Sequence, residues 1–481
     1  MSAGAGAASA PKSYLILAKG EKLPANVAAQ VQAAGGTLTS TIPQVGIAVA
    51  STTSVDFKAK AAKIGTVVPN VKIQLVDPLR TVEGPIVDFA NPPSSGDNDA
   101  FFDLQYGHDT VDAPEAWNAG ERGDGVRVAV LDTGFDTDHP DLAPNVDFPA
   151  SRDFTGEGLT YHFADPFSHG SHTAGTVAAA DNGIGTIGVA PEATLILVKM
   201  LRDEGIGTFA DGIAAIVYAA GPADADVISM SWGARVPKAG DPTDPELDTP
   251  EKVAELKHAL NLATRFAFKQ GATLVASAGN DGENYDENVG ILSLPAMADN
   301  VLAISATTPI GWAVNPALNK SNNIASYSNY GNSIIDFSAP GGDPSVSGER
   351  ELHRRRAHEA VLRVRPRVLD GQQSEPGHRQ LLLVRWHEHG CSARLRRRGD
   401  HHRRARGKHE SARRRADPEA VGRRSRGPAQ VLRARPGERR QRRRSVARAA
   451  RRLTEGPALT GPSPFHGLAR VHRGFGLGNG H

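Results

Sequence analysis

The stretch Val128-Ala129-Val130-Leu131-Asp132-Thr133-Gly134 decides the fold class of this 481-residue chain. Its first four residues are all apolar, and no polar residue alternates with them. Such a run predicts a strand that is buried on both faces, as in a parallel sheet covered by helices. Asp132 follows directly, so a carboxylate is expected at the carboxyl end of the strand, where ligands bind in such folds.

The same kind of apolar run recurs through residues 101–343, and amphipathic helical patterns lie between the runs. The runs are Val126–Leu131, Thr194–Met200, Val227–Met230, Thr273–Ala276 and Val301–Ile304. One helix face is formed by Phe209, Ile213, Ile216, Val217 and Ala220, and another by Val253, Leu256, Leu260, Ala263 and Ala267. This alternation predicts an α/β fold, with a parallel sheet and helices on both faces.

Charge and composition divide the chain into four parts. Residues 1–77 read as a small α+β domain, with strands near 14–18 and 45–49 and helices near 27–34 and 57–64. Residues 78–100 are rich in proline and read as a linker, and residues 101–343 hold the α/β domain. The tail, 344–481, carries 35 Lys and Arg against 12 Asp and Glu, whereas the first 343 residues carry 20 against 41. With so few apolar residues the tail is not expected to form a core.

Composition also excludes several classes of protein. The only cysteine is Cys391, which excludes a disulfide framework, thiol catalysis and cysteine-ligated zinc in the globular part. No apolar run reaches the ~18 residues that a membrane span requires. Residues 1–10 lack the basic and apolar regions of a signal peptide, so the chain is cytosolic or such a peptide is missing from its start.

Three strand ends carry residues with catalytic potential. Asp132 is a buried acid or an ordinary turn residue; an aspartic protease would need a second Asp-Thr-Gly, which residues 1–343 do not contain. His169 opens a helix of small residues, and its alternative is a zinc site with His172, for which no third ligand follows. Asn280 follows the strand Thr273–Ala276 and is either an oxyanion donor or a turn former.

Taken together, the motifs resemble those of the subtilisin-like serine proteases (the subtilase family). They are Val-Ala-Val-Leu-Asp-Thr-Gly (128–134), His-Pro-Asp-Leu (139–142), His-Gly-Ser-His-Thr-Ala-Gly (169–175), Gly-Val-Ala-Pro (188–191), Ser-Met-Ser-Trp-Gly (229–233), Ala-Ser-Ala-Gly-Asn (276–280) and Ser-Ala-Pro-Gly (338–341). Their order and spacing match the family over residues 101–343, and residues 13–77 look like its inhibitory propeptide.

The resemblance implies a role for each matching residue. Asp132 orients the imidazole, His169 is the general base and Asn280 completes the oxyanion hole. The substrate-binding residues it implies are Ser231, Trp232, Gly233, Gly205 and Gly279. It implies a structural Ca²⁺ site with Asp141 and Asn182, for which an ordinary polar loop is the alternative. It also implies extended peptide substrates, inhibition by the chain's own propeptide with maturation within 78–100, and secretion.

The family's nucleophile motif, Gly-Thr-Ser-Met-Ala-x-Pro-His-Val, does not occur in the chain. Trp386–Leu395 accounts for its absence, because the codons of this segment, read one base later, permit Gly, Thr, Ser, Met, Ala, Ala, Pro, His and Val in that order. The tail therefore reads as a frameshifted translation, with the switch between Gly341 and Leu381, and the chain as written is expected to be inactive.

Two other readings stay open. The chain could be a catalytically dead protease that acts as a peptide-binding module. Alternatively, the tail could be genuine and bind nucleic acid through its 34 arginines, but it has no accompanying fold, and the codon match would then be a coincidence.

Overall fold

A computed structural model describes residues 10–75, 97–99, 101–102, 105–162, 168–308 and 323–343. The predicted arginine-rich tail, the codons around Trp386 and nearly all of the predicted linker lie outside the described residues. No helix within the described ranges is long and apolar enough to cross a membrane.

Residues 10–75 form a small α+β domain, as expected. Its elements are β1 (Lys12–Ala18), α1 (Val27–Ala33), β2 (Gly36–Ile42), β3 (Ile47–Thr52), α2 (Phe57–Ala61) and β4 (Gly65–Pro69). The antiparallel sheet has the order β2-β3-β1-β4, and this βαββαβ arrangement is ferredoxin-like. A short strand follows, β5 (Lys72–Gln74), which pairs outside this sheet.

The remaining described residues form the α/β domain. Its strands are β6 (Arg127–Asp132), β7 (Arg152–Asp153), β8 (Thr194–Lys199), β9 (Ile206–Thr208), β10 (Val227–Met230), β11 (Ala234–Pro237), β12 (Thr273–Ser277), β13 (Ile291–Leu294), β14 (Val301–Thr308), β15 (Asn323–Ile324) and β16 (Phe337–Pro340). Its helices are α3 (Gly107–Thr110), α4 (Ala113–Asn118), α5 (His169–Ala178), α6 (Phe209–Ala220) and α7 (Pro250–Gln270).

The central sheet has eight strands, in the order β15-β14-β12-β10-β6-β8-β7, with β16 also paired to β14. All its pairings are parallel except that of β14 with β15. Each predicted apolar run lies in one of its strands, and both predicted helix faces are buried. The α/β prediction is therefore confirmed.

Local sequence signals fix the ends of the two long helices. Thr208 and Asp211 form a reciprocal capping box at the start of α6, where each side chain satisfies a backbone N–H of the first turn. Thr249 caps α7, Pro250 occupies its first turn, and Gly271 ends it in a left-handed conformation (φ 103°).

One apolar cluster contains residues of both domains. Leu15 and Leu17 point from β1 into the cluster that also holds Leu256 and Leu260 of α7. Tyr14 and Ile16, which alternate with them on β1, pack instead against the domain's own helices. This period of two explains why residues 14–18 of β1 are all apolar: the sheet is covered on both faces there.

Candidate active site

The carboxylate predicted to orient the imidazole, Asp132, and the predicted general base, His169, are in direct contact. Asp132 is the last residue of β6, and His169 is the first residue of α5. Nδ1 of His169 lies 2.6 Å from Oδ1 of Asp132, and both side chains are buried. A carboxylate in this position holds the imidazole with its proton on Nδ1, which leaves Nε2 to accept a proton from a nucleophile.

The Asp132 carboxylate is held by two further donors. The backbone N–H of Thr133 donates to Oδ1 at 2.6 Å, and the hydroxyl of Thr173 donates to Oδ2 at 3.1 Å. These bonds fix the plane of the carboxylate, because each of its two oxygens accepts a hydrogen bond from a buried donor.

The start of α5 is fixed just as tightly. Ser168 caps the helix by accepting the N–H of Ser171, and its own hydroxyl donates to the carbonyl of Gly134 at 2.6 Å. Gly170 has to be glycine, since a Cβ there would lie 2.8 Å from the Gly134 carbonyl oxygen and 2.9 Å from Phe135. The base is therefore set on rigid elements.

Zinc binding by His169 and His172 finds no support in this geometry. Nδ1 of His169 is already engaged with Asp132. Within the described part of the chain, the one group of three acidic or His ligands close enough to share a metal ion contains neither histidine.

The third predicted residue, Asn280, lies on the same edge of the sheet as the acid–base pair. Strand β10 separates β6 from β12, and Met230 is in register with both Leu131 and Ala276. The carboxyl ends of the three strands are therefore level, and Asn280 follows β12 by three residues. Its partly exposed position beside Gly279, which has a φ of 102°, leaves the amide available to a ligand.

The predicted substrate-binding residues divide between backbone and core roles. Ser231 and Trp232 are both buried, and the indole of Trp232 packs over Gly212 of α6, where a Cβ would lie only 3.1 Å from the ring. Within the described residues neither the Ser231 hydroxyl nor the Trp232 Nε1 has a hydrogen-bond partner. Both side chains are packed inside the domain, away from solvent.

Gly205 directly precedes β9, and β5 of the same chain is paired with β9. Ile73 is in register with Gly207 in an antiparallel pair, and the N–H of Leu75 donates to the Gly205 carbonyl at 2.8 Å. Gly205 has a φ of 76°, and a Cβ there would lie 2.9 Å from the Leu75 Cβ. Sequence reasoning missed β5, because nothing local in three residues indicates a partner more than a hundred positions away.

The two residues expected to hold Ca²⁺, Asp141 and Asn182, are in direct contact. Asp141 is buried, and its carboxylate accepts the N–H of Thr186 at 3.1 Å and the amide of Asn182 at 3.3 Å. Burial raises the pKa of Asp141 to about 6. Gly185 leaves room for this carboxylate, since a Cβ would lie 2.0 Å from Oδ2. Carboxylate and amide side chains are among the ligands that a hard cation such as Ca²⁺ takes.

Three more carboxylates lie near Asn182, and the sequence analysis did not single them out. Asp97, Asp99 and Asp181 each offer an oxygen within 4.8 Å of the others. Asp99 is fully buried, and its Oδ1 accepts the N–H of Gly183 at 3.0 Å. Burial and a hydrogen bond with Asp97 raise the pKa of Asp99 to about 7. The acidic run Asp97-Asn98-Asp99 was the available signal, and it was assigned to the linker.

Comparison with known proteins gives the class that this fold and acid–base pair define. The subtilase family (peptidase S8) matches residues 123–368. Thermitase of Thermoactinomyces vulgaris is 33% identical over 246 residues, which are 51% of this chain and 73% of thermitase. The major intracellular serine protease of Bacillus subtilis (strain 168) is 36% identical over 242 residues, or 50% of this chain and 65% of that protein. The intracellular serine protease of Paenibacillus polymyxa is 35% identical, with 64% of its length matched.

The chain belongs to the subtilase family, and its fold is subtilisin-like. Among solved structures, the epidermin leader peptide processing serine protease of Staphylococcus aureus has the same fold, with a TM-score of 0.57 at 19% identity over 82% of this chain and 90% of that one. The matched segment spans slightly less than two thirds of the two intracellular relatives.

Proposed function

We propose that the gene encodes a serine endopeptidase in which Asp132, His169 and a serine from the shifted frame form the catalytic triad. The observation that carries the proposal is the buried 2.6 Å contact between His169 and Asp132 at the carboxyl edge of the sheet. In this scheme Asp132 stabilises the imidazolium that forms when Nε2 takes the serine proton. Asn280 donates its amide to the oxyanion of the tetrahedral intermediate.

The proposed substrates are extended stretches of polypeptide. The pairing of β5 with β9 supports this, because a strand of this chain already binds that edge in an extended, antiparallel conformation. Strand addition draws affinity from backbone hydrogen bonds, and so it favours unfolded segments over compact ones.

Residues 10–75 are proposed to be an intramolecular inhibitor that is removed by cleavage within residues 78–100. Their apolar sheet face packs on α7, and β5 runs from this domain along Gly205. A substrate cannot pair with Ile206–Thr208 until β5 leaves. These contacts would block the site before cleavage, and their loss after cleavage would open it to substrate.

The 481-residue chain itself is proposed to be inactive because it lacks the nucleophile. The family match ends at residue 368, before the Trp386 codons that permit the missing motif in another frame. Ser168 and Ser171, which flank the base in sequence, are poor substitutes. The Ser168 hydroxyl donates to the Gly134 carbonyl, and the Ser171 hydroxyl donates to Ser168 Oγ, within the cap of α5.

A structural Ca²⁺ ion held by Asp141 and Asn182 is also part of the proposal, as is secretion of the mature enzyme. The ion would neutralise a buried carboxylate and hold the loop after α5. Two of the relatives are named intracellular proteases. The feature that supports secretion of this protein is its propeptide-like N-terminal domain.

The deciding experiment corrects the reading frame by one base and assays casein hydrolysis with and without a serine-protease inactivator, after resequencing the DNA across codons 341–395. Inhibitor-sensitive hydrolysis by the corrected protein, together with no hydrolysis by the 481-residue chain, is the expected result. A folded and processed but inactive corrected protein would favour the peptide-binding module. DNA that confirms the printed frame, together with salt-sensitive DNA binding by the tail, would favour the nucleic-acid binder.

A further inference from the structure

A buried asparagine lies directly behind the loop that carries Asn280. Asn329 belongs to the segment between β15 and β16, and its side chain is inaccessible to solvent. Its Oδ1 accepts two backbone N–H groups of the Asn280 loop, from Asp281 at 3.0 Å and from Glu283 at 3.0 Å.

The amide nitrogen of Asn329 binds the same loop from the other side. Nδ2 lies within hydrogen-bond distance of the Ala278 carbonyl (3.1 Å), the Asp281 carboxylate (2.8 Å) and the Tyr285 hydroxyl (2.6 Å). The backbone N–H of Asn329 donates to the Gly279 carbonyl at 3.0 Å. These partners precede and follow Asn280, and none of the bonds goes to Asn280 itself.

The loop has room for this side chain only because residue 279 is glycine. A Cβ on Gly279 would lie 2.5 Å from Nδ2 of Asn329, and the residue has a φ of 102°. Glycine is therefore favoured at 279 for two reasons. Any other residue would bring its Cβ too close to Asn329, and it would also be strained by the positive φ.

A second contact connects the loop to β11. Arg235, two residues after Gly233, donates to Asp281 at 2.8 Å and to Glu283 at 2.5 Å. Asn329 and Arg235 therefore hold Asp281 from two directions. Both the backbone N–H and the carboxylate of Asp281, the residue after Asn280, are therefore hydrogen-bonded.

We propose that Asn329 is a positioning residue that holds Asn280 where its amide can donate to the oxyanion. The inference rests on the proposed serine-protease function, but it assigns a residue outside the triad and the oxyanion hole. An oxyanion donor works only when it is preorganised, and its loss costs about 10²–10³ in rate. A displacement of about 1 Å in such a group costs up to about 10².

The kinetic test uses the frame-restored enzyme. Asn329→Ala should lower kcat by about 10-fold to 100-fold, with KM changed by less than about twofold. The double variant Asn280→Ala/Asn329→Ala should be no more than about twofold slower than Asn280→Ala alone, because Asn329 acts through Asn280. Additive losses, or an unchanged kcat in Asn329→Ala, would overturn the proposal.

Two further variants separate positioning from general destabilisation. Asn261 of α7 is also a buried asparagine, and its Oδ1 accepts the N–H of Asp299, which lies between β13 and β14, at 2.9 Å. Asn261→Ala should lower the melting temperature and leave kcat unchanged. Asn329→Asp keeps the shape and the acceptor atom but loses the donors, so it should lose kcat as Asn329→Ala does; wild-type kcat in a folded Asn329→Asp would contradict the role.

Hydrogen exchange on the 481-residue chain gives a readout that needs no catalysis. The peptide that spans Asp281 and Glu283 should exchange at least about 10-fold faster in Asn329→Ala and at the parent rate in Asn261→Ala. Unchanged exchange in Asn329→Ala would overturn the proposal whatever the enzyme does. Faster exchange together with an inactive frame-restored parent would refute the serine-protease function and leave the loop-holding role of Asn329 standing.

Discussion

Glu246 joins the N-terminal domain to the loop before α7, and neutralising it tests how the two domains are held together. Its carboxylate accepts hydrogen bonds from Lys12 at 2.8 Å, Lys58 at 2.7 Å and the Tyr14 hydroxyl at 3.1 Å. Burial acts to raise the pKa of Glu246, but the hydrogen bonds from Lys12 and Lys58 outweigh it and lower the pKa to about 2.

The structure sets the size of the effect of Glu246→Gln. Glutamine keeps an acceptor for Tyr14 but loses the charge. Lys12 is 62% exposed, so solvent screens its pairing with Glu246 and we assign it no contribution. Lys58 is 38% exposed and Glu246 is 20% exposed, so their ion pair is only partly screened. A partly screened ion pair of this kind contributes about 1 kcal/mol. The expected result is a roughly fivefold weaker association of the two domains.

The assay places a specific protease site within residues 84–95, cleaves it and measures dissociation of the N-terminal fragment. Raised salt should speed dissociation in the parent more than in Glu246→Gln. The control is Asp56→Asn, because the ion pair that Asp56 forms within the described residues is with Lys60 of its own domain, 3.6 Å away at the surface. Equal dissociation rates for the parent and Glu246→Gln at low salt would refute this reasoning.

The lowered pKa of Glu246 also predicts how the association depends on pH. A carboxyl whose pKa falls from 4.5 to about 2 on docking contributes its full stabilisation above 4.5 and loses it as the pH falls toward 2. Dissociation of the cleaved fragment through this group should therefore be constant between about pH 6 and pH 9. A rise in dissociation within that range would show that another group controls the interface.

Three further predictions concern the site and the tail. In the frame-restored enzyme, Asp132→Asn should lower kcat by about 10⁴, because the imidazole then takes the wrong tautomer; wild-type kcat would remove Asp132 from the mechanism. Gly170→Ala should lower the free energy of unfolding by about 1–3 kcal/mol, whereas Gly175→Ala, whose Cβ would meet nothing closer than 3.8 Å, should not, and equal melting temperatures for the two variants would contradict the packing argument. EDTA should lower the melting temperature of the parent but not of Asp141→Asn, and an equal drop in both would place the ion elsewhere.

Much of the fold follows from local sequence because burial on both faces leaves a clear mark. The run at 128–131 has to be apolar throughout, since β6 lies between two other strands and under helices. Strand β2, Gly36–Ile42, escaped prediction for the opposite reason. It is an edge strand and largely exposed; its threonines favour a strand, but Leu38 and Ile42 alone do not form an alternating apolar face.

The candidate site shows the same division. Asp132, His169 and Asn280 were found because each follows or opens an element whose pattern is local. Asn329 carried no such signal, because its role depends on the approach of two loops that are some fifty residues apart in sequence. The acidic run at 97–99 was mistaken for linker, since its contact with the 181–186 loop is likewise non-local.

Covalent labelling of the active-site serine tests the central claim most directly. The frame-restored protein and the 481-residue chain are treated with a fluorophosphonate probe, and the labelled peptide is sequenced by mass spectrometry. We expect label on the serine of a Gly-Thr-Ser-Met-Ala peptide in the restored protein, prevented by His169→Ala, and no label on the 481-residue chain. Label on the 481-residue chain, or none on a folded restored protein, would contradict it.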